Sequence, residues 1–279
     1  MMTLGTLFRE GKRRLREARV EEWELDAWYL LEYVTGYTRN EYYLHPERRM
    51  EEKQKQEYLD LIQRRIAHIP LQYLTGSQEF MGYAFQVNEH VLIPRQDTEI
   101  LVEESLKHVQ SDMKILDLCT GSGCILLSIL KTVPGLTGLG TDISEQALLV
   151  AGRNRADLGL ETKAEFQKSD LFEQVEGRFD CIVSNPPYIP SKTVETLMEE
   201  VRDHEPRIAL DGREDGLYYY RKITGQSPAY LKPGGMLFFE IGYDQAEAVT
   251  ELMEQDFTHV HVVKDLSGLD RVVYGSLRA

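Results

Sequence analysis

From residue 114 onward the chain alternates short apolar runs with stretches of helical periodicity, and this constrains the fold more than any other feature. Apolar runs fall at 114–118, 136–142, 164–168 and 179–184, with helical spacing at 122–132 and 144–157 between the first three. Parallel strands need a crossover between them, so this pattern predicts a doubly wound sheet with helices on its faces. A long helical or irregular stretch at 191–230 leads to a strand at 235–240 and a helix at 245–255. Two closing strands, 258–264 and 271–276, are joined by the short loop 265–270, which contains Gly268. Such a connection calls for antiparallel pairing at a sheet edge. The expected fold class is α/β, with a Rossmann-like sheet of seven strands.

Ahead of the alternation the pattern is helical. Apolar residues recur at helical spacing over 3–19, 23–36 and 51–68, with Leu7, Phe8, Trp28, Leu31, Tyr58 and Ile62 among them. Pro70 and Gly76 punctuate the exit, and Gln78 to Phe80 and Tyr83 to Val87 flank Met81-Gly82 as a hairpin. Three parts follow: a helical bundle over 1–75, a hairpin linker over 76–93 and the α/β domain over 94–279. Asp97 is expected to cap a helix over 98–109.

Charge narrows the partners. The formal net charge is −14, and residues 1–75 carry 13 basic and 13 acidic side chains. The α/β part therefore holds the whole excess, with 32 − 13 = 19 basic against 46 − 13 = 33 acidic residues. Nucleic-acid affinity draws on Lys and Arg displacing counterions, so direct nucleic-acid binding is not expected. No run approaches the ~18 apolar residues of a membrane span. We expect a cytoplasmic protein without membrane association. Cys119, Cys124 and Cys181 lack metal-ligand spacing and read as reduced core thiols, so no metal is expected.

The chemistry gathers at the ends of the strands. Asp117-Leu118-Cys119-Thr120-Gly121-Ser122-Gly123 lies between the first strand and its helix, where glycines allow a ligand close to the backbone. The dinucleotide pattern is not met, because Cys119 and Leu126 stand where glycines would be needed. A carboxylate at Asp117 would repel phosphate yet accept from an ammonium group. Asp142 ends the second strand, at the offset where an acid meets ribose hydroxyls. Asp170, beside Leu171 and Phe172, ends the third and suits an adenine ring. Each acid alone is more often a helix cap or loop residue. Three at successive strand ends around a glycine turn argue for a nucleoside carrying an amino acid and no phosphate, which is S-adenosyl-L-methionine.

Ser184-Asn185-Pro186-Pro187-Tyr188 follows the fourth strand. Two prolines cannot continue a ladder, so the chain leaves the sheet in a stiff extended loop beside the cofactor pocket. An amide or exocyclic amine is a delocalised, weak nucleophile. Asn185 and the Pro186 carbonyl can accept its N–H groups, with Pro187 stiffening the loop and Tyr188 covering the acceptor's flat face. Alignment in a dry site can supply roughly 7–11 kcal/mol. Acceptors of this kind include adenine N6 in DNA as well as an amide. A non-catalytic adaptor with a degenerate pocket is the reading of another class.

Together with Ile93-Pro94-Arg95-Gln96-Asp97-Thr98-Glu99, Glu205-Pro206, Asp215-Gly216-Leu217, Tyr220-Arg221 and Asp265 to Val273, these motifs resemble the release factor glutamine methyltransferases, the PrmC/HemK family, along nearly the whole chain. The resemblance implies a class I methyltransferase fold. It also implies methylation of the N5 amide of the Gly-Gly-Gln glutamine in class I peptide chain release factors, yielding S-adenosyl-L-homocysteine. Thr120, Gly121, Ser122, Gly123, Asp142, Leu171 and Asn185 would contact the cofactor, and Asn185 to Tyr188 would hold the glutamine. The sequence departs from the family pattern at Cys119, where glycine is usual, at Gln96, where proline is common, and at Leu171, where some members carry tryptophan. Tightening of the cofactor turn by Cys119 and weaker adenine stacking at Leu171 are the expected consequences.

Overall fold

The computed structural model describes residues 3–278, which form two compact units. The first runs as far as Gly76 and also takes in Met198–His204. Its helices are α1 (Leu4–Glu17), α2 (Trp23–Thr35), α3 (Arg39–Leu44), α4 (Glu52–Ile66) and α5 (Leu71–Thr75), and the late segment adds a helix at Glu199–His204. The sequence reading had left residues 198–204 with the α/β domain. A buried ion-pair cluster explains their place, because Arg65 pairs with Asp26 and with Glu200, each at 2.7 Å. Leu7, Leu15, Leu30, Tyr58 and Ile62 are fully buried, each such aliphatic side chain contributing about 1.5–3 kcal/mol. The basic run on α1 is a solvated face, with Arg13 and Arg14 paired to Glu10 and Arg13 also to Glu17. Helix α3 lies outside the three stretches of helical periodicity in the sequence. Its start is a capping box between Thr38 and Glu41, three residues apart.

The second unit comprises Ser77–Leu197 and residues 205–278. It opens with the hairpin β1 (Ser77–Phe80) and β2 (Tyr83–Gln86) and continues through α6 (Gln96–Leu106), β3 (Lys114–Leu118), α7 (Cys124–Thr132), β4 (Thr137–Asp142), α8 (Glu145–Asp157), β5 (Ala164–Lys168) and β6 (Phe179–Ser184). After a short helix α9 (Ser191–Val194), with α10 being Glu199–His204 in the first unit, come α11 (Tyr218–Tyr230), β7 (Leu231–Glu240), α12 (Ala246–Met253), β8 (Phe257–Lys264) and β9 (Asp270–Leu277). The main sheet has the order β5-β4-β3-β6-β7-β9-β8. Strands β3 to β7 are mutually parallel and β9 is antiparallel to both β7 and β8. Central strands are buried on both faces, so Ile115, Leu116, Leu118, Ile182 and Val183 are all fully buried, with Asp117 the one charged side chain within β3's buried run.

Two boundaries differ from the sequence reading. Helix α6 begins at Gln96 with Arg95 at its N-cap, and no side chain caps it. Asp97 therefore lies inside the first turn, where a carboxylate meets the positive end of the helix dipole. Strand β7 begins at Leu231 and not at Gly235, because pairing with β6 shifts register between Phe179/Leu231 and Cys181/Met236. Pro233-Gly234-Gly235 sits within that irregularity and reads as a strand breaker.

Strand order reverses between β3 and β6, adjacent parallel strands with Leu118 beside Ser184. In an open α/β sheet this switch point leaves a crevice outside the carboxyl ends of the strands. The Asp117–Gly123 turn and the Asn185–Tyr188 loop both emerge there. The Ser184 hydroxyl donates to the Leu118 carbonyl at 2.8 Å and ties the two exits together.

Candidate active site

A pocket opens at this crevice. Cys119, Thr120, Gly121, Ser122, Asp142, Asp170, Leu171, Asn185 and Pro187 line it, so most residues singled out from the sequence meet in one place. Asp117, Gly123, Pro186 and Tyr188 are not among the lining residues.

The floor is a turn held by acids. Asp142 Oδ2 accepts from the Gly121 N–H and Oδ1 from the Ser144 N–H, both at 2.9 Å. One carboxylate thus fixes the glycine turn and the start of α8 together. Burial pushes the Asp142 pKa up, and the N–H groups of Ser144, Gly121 and Ile143 oppose that shift. At Gly121 φ is +54°, and a Cβ there would point into open space. Cys119 takes φ +59° and Leu171 φ +50°, left-handed conformations that cost an ordinary residue about 1–2 kcal/mol. A glycine at position 119 would take this conformation without that cost. Asp117 lies beneath the turn, fully buried, with Oδ2 accepting from the Thr120 hydroxyl at 2.6 Å and Oδ1 completing no hydrogen bond. Burial raises its pKa to about 7. Asp117 therefore braces Thr120 from below and does not line the pocket, where the sequence reading expects it to meet the cofactor.

The acceptor side is built differently. Asn185 Nδ2 donates to Thr98 Oγ1 at 3.4 Å, from the first turn of α6. Tyr188 packs against the apolar face formed with Tyr220 and Phe239, and its hydroxyl donates to Glu240 Oε1 at 3.3 Å. Its ring therefore faces the core and not the pocket mouth. Gln245 Nε2 donates to the Tyr188 carbonyl at 3.0 Å and its Oε1 accepts from the Gly242 N–H at 2.9 Å. Gly216 takes φ +76°, and a Cβ there would lie 2.3 Å from the Tyr188 carbonyl oxygen. The loop backbone is thus seated against glycine and clamped from β7 and the start of α12.

The residues present suit a sulfonium nucleoside: an apolar wall of Leu171, Ile143, Ile125 and Ala147, the carboxylates Asp142 and Asp170, and a backbone turn without a crowding Cβ.

The chain matches the model described as the PrmC N-terminal domain over residues 6–76 and that described as the methyltransferase small domain over residues 96–204. A release factor glutamine methyltransferase of Caulobacter vibrioides is 42% identical over 278 residues, covering 98% of this chain and 96% of that protein. Another, of Clostridium acetobutylicum, is 42% identical over 265 residues, covering 93% of each. The chain belongs to the release factor glutamine methyltransferase family. It is an S-adenosylmethionine-dependent methyltransferase by that membership. Among solved structures, a Pyrococcus furiosus methyltransferase aligns with a TM-score of 0.53 at 15% identity, covering 70% of this chain and 89% of its own, and supports the fold. A T. thermophilus 16S rRNA N2 methyltransferase, solved with AdoMet and guanosine, gives 0.51 at 19% identity over 72% of this chain and 50% of its own.

The pocket walls also draw on motif residues to which the sequence assigns no role. Arg95 pairs with the buried Glu205, whose Oε2 also accepts from the Ile93 N–H at 3.2 Å. This ties the 90–95 wall to the Pro206, Ile208 and Ala209 wall. Glu240 could have been found by the rule that located Asp117, Asp142 and Asp170, since it too is an acid ending a strand. Among the described residues no cluster of metal-ligating side chains is present and no helix is long and apolar enough to cross a membrane.

Proposed function

We propose that this protein transfers a methyl group from S-adenosylmethionine to the N5 amide of the glutamine in the Gly-Gly-Gln motif of class I peptide chain release factors. The single observation that carries this reading is Asn185 at the pocket rim, with its Nδ2 taken by Thr98 and its Oδ1 left as an acceptor. A glutamine amide N–H given to that oxygen orients the amide with its nitrogen lone pair toward the methyl donor. Cofactor bound in the pocket supplies an electrophilic methyl group. Asp142 and Asp170 would hold its nucleoside, Leu171 and Ile143 would line the ring's side of the pocket, and Thr120 to Ser122 with the start of α7 would hold the amino-acid tail. Asn185 contributes orientation and a dry environment. Tyr188 acts as an anchor of the loop. We further propose that the N-terminal helical unit docks the release factor and that the protein works in the cytoplasm.

The acidic α/β region supports a protein over a DNA acceptor. Incubation with methyl-labelled cofactor and unmodified release factor should label the release factor and leave its Gly-Gly-Ala variant unlabelled. Label on DNA alone would contradict this assignment, and label on nothing would favour the adaptor reading.

A further inference from the structure

Glu240 ends β7, 2% exposed, and no step of the reaction above employs it. It stands where both ends of the acceptor loop converge. Tyr188, the last residue of the loop, donates its hydroxyl to Glu240 Oε1 at 3.3 Å. Glu240 Oε2 is buried and makes no hydrogen bond, and Thr98, which favours the charged form of this carboxyl, accepts from Asn185 Nδ2 through Oγ1. A hydroxyl has one proton to give. Given to Glu240, it leaves the Thr98 oxygen with lone pairs only, so the Asn185 amide must turn its NH₂ inward and its carbonyl oxygen toward the pocket. Were the carboxyl protonated, it could donate to Thr98 Oγ1 itself, and the direction of the chain would no longer be set.

We infer that Glu240 is a positioning residue for methyl transfer: ionised, it anchors the Tyr188 end of the acceptor loop and, by taking the Thr98 proton on its unpartnered oxygen, fixes which end of the Asn185 amide meets the acceptor. This rests on the amide-methylating role proposed above. Burial pushes the Glu240 pKa up to about 7. The groups facing it are Asp97 and Thr98 from α6, Cys124 from α7, Tyr188 from the loop, Tyr220 from α11, whose hydroxyl reaches the Glu240 carbonyl at 2.9 Å, and Arg271 from β9, itself paired with Asp97 and Asp265. Asp97 adds to the upward shift, whereas Thr98, Arg271 and Tyr188 favour the charged form. The sign follows: if the ionised form positions Asn185, kcat/KM should rise with pH through about 7 and level above it.

The test is Glu240→Gln alongside Thr98→Val, Thr98→Ser and the double variant of the first two, assayed on unmodified release factor with cofactor affinity measured separately. Glu240→Gln should lower kcat about 10- to 100-fold, the scale of a lost hydrogen bond to a charged group, with cofactor Kd unchanged within threefold. It should also lose the acidic limb of the kcat/KM profile. Thr98→Val should reproduce the kcat loss with Glu240 intact, Thr98→Ser should restore it, and the double variant should fall no further than the worse single. Wild-type kcat in Thr98→Val, persistence of the acidic limb in Glu240→Gln, or equal losses in kcat and cofactor affinity would each overturn the inference. Wild-type protein that binds cofactor yet labels no release factor would instead sink the functional reading, and this inference with it.

Discussion

Two turns meet at the switch point of the sheet, and they are held in opposite ways. The cofactor turn, Asp117–Gly123, is braced from close by: Asp142 on the neighbouring strand receives its Gly121 N–H, and Asp117 holds Thr120 from within the turn itself. The acceptor loop, Asn185–Tyr188, is braced from afar, by Thr98 from α6, Glu240 from β7, Gln245 ahead of α12 and the bare face of Gly216. A turn with its own acids is a local device, whereas a loop held by four remote segments depends on the whole fold being in register. Disturbing the first should therefore weaken cofactor binding, and disturbing the second should slow transfer with cofactor bound.

The most severe break is at the loop's working residue. Asn185→Ala should cost about 10²–10³-fold in kcat, the scale of a removed transition-state contact, while cofactor Kd measured by calorimetry changes by less than threefold. Equal loss in both would place Asn185 in the cofactor site instead. On the other side, Asp142→Asn exchanges one of two backbone-accepting oxygens for a donor. Cofactor Kd should rise about 10-fold, with kcat at saturating cofactor nearly retained, for a charge-assisted hydrogen bond of about 1.5–3 kcal/mol. A kcat loss without a change in Kd would reverse the assignment. The smallest effect should come from Cys119→Gly. Relief of about 1–2 kcal/mol of left-handed strain is partly offset by about 0.5–1 kcal/mol of added backbone entropy. A rise in Tm of about 1–3 °C is expected, and a fall would mean that the thiol's packing outweighs the strain.

The same contrast governs what could be read from the chain alone. The doubly wound sheet, its antiparallel edge and the position of the glycine turn were legible, because each is carried by local periodicity or by residues within one βαβ unit. So was the meeting of Asp142, Asp170 and Asn185, since acids and prolines at strand ends must share one edge of a parallel sheet. Tyr188 was misplaced for a physical reason: a tyrosine after two prolines can face the pocket or the core, and Glu240, 52 residues further on, decides. Asp117 was placed at the right strand end but at the wrong depth, because depth depends on how α7 closes over it. The helix at Glu199–His204 was hidden because its partner Arg65 lies 135 residues away from Glu200. Residue type favours Asp97 as a cap, whereas Arg95 holds the capping position without a side-chain bond.

The most direct test of the comparison sets one alanine in each turn. Gly121→Ala adds a Cβ where space is open but φ is +54°, and Gly216→Ala adds one 2.3 Å from the Tyr188 carbonyl oxygen. Single-turnover methyl transfer to release factor at saturating cofactor, with cofactor Kd measured on the same preparations, reads both. Gly216→Ala should slow transfer about 10²-fold, as expected of a displacement near 1 Å in a positioned acceptor, with Kd within threefold of wild type. Gly121→Ala should weaken cofactor binding about 10-fold, as expected of about 1–2 kcal/mol of left-handed strain, and leave the saturated rate within threefold. Parallel losses of rate and affinity in both variants would contradict the separation of the two turns.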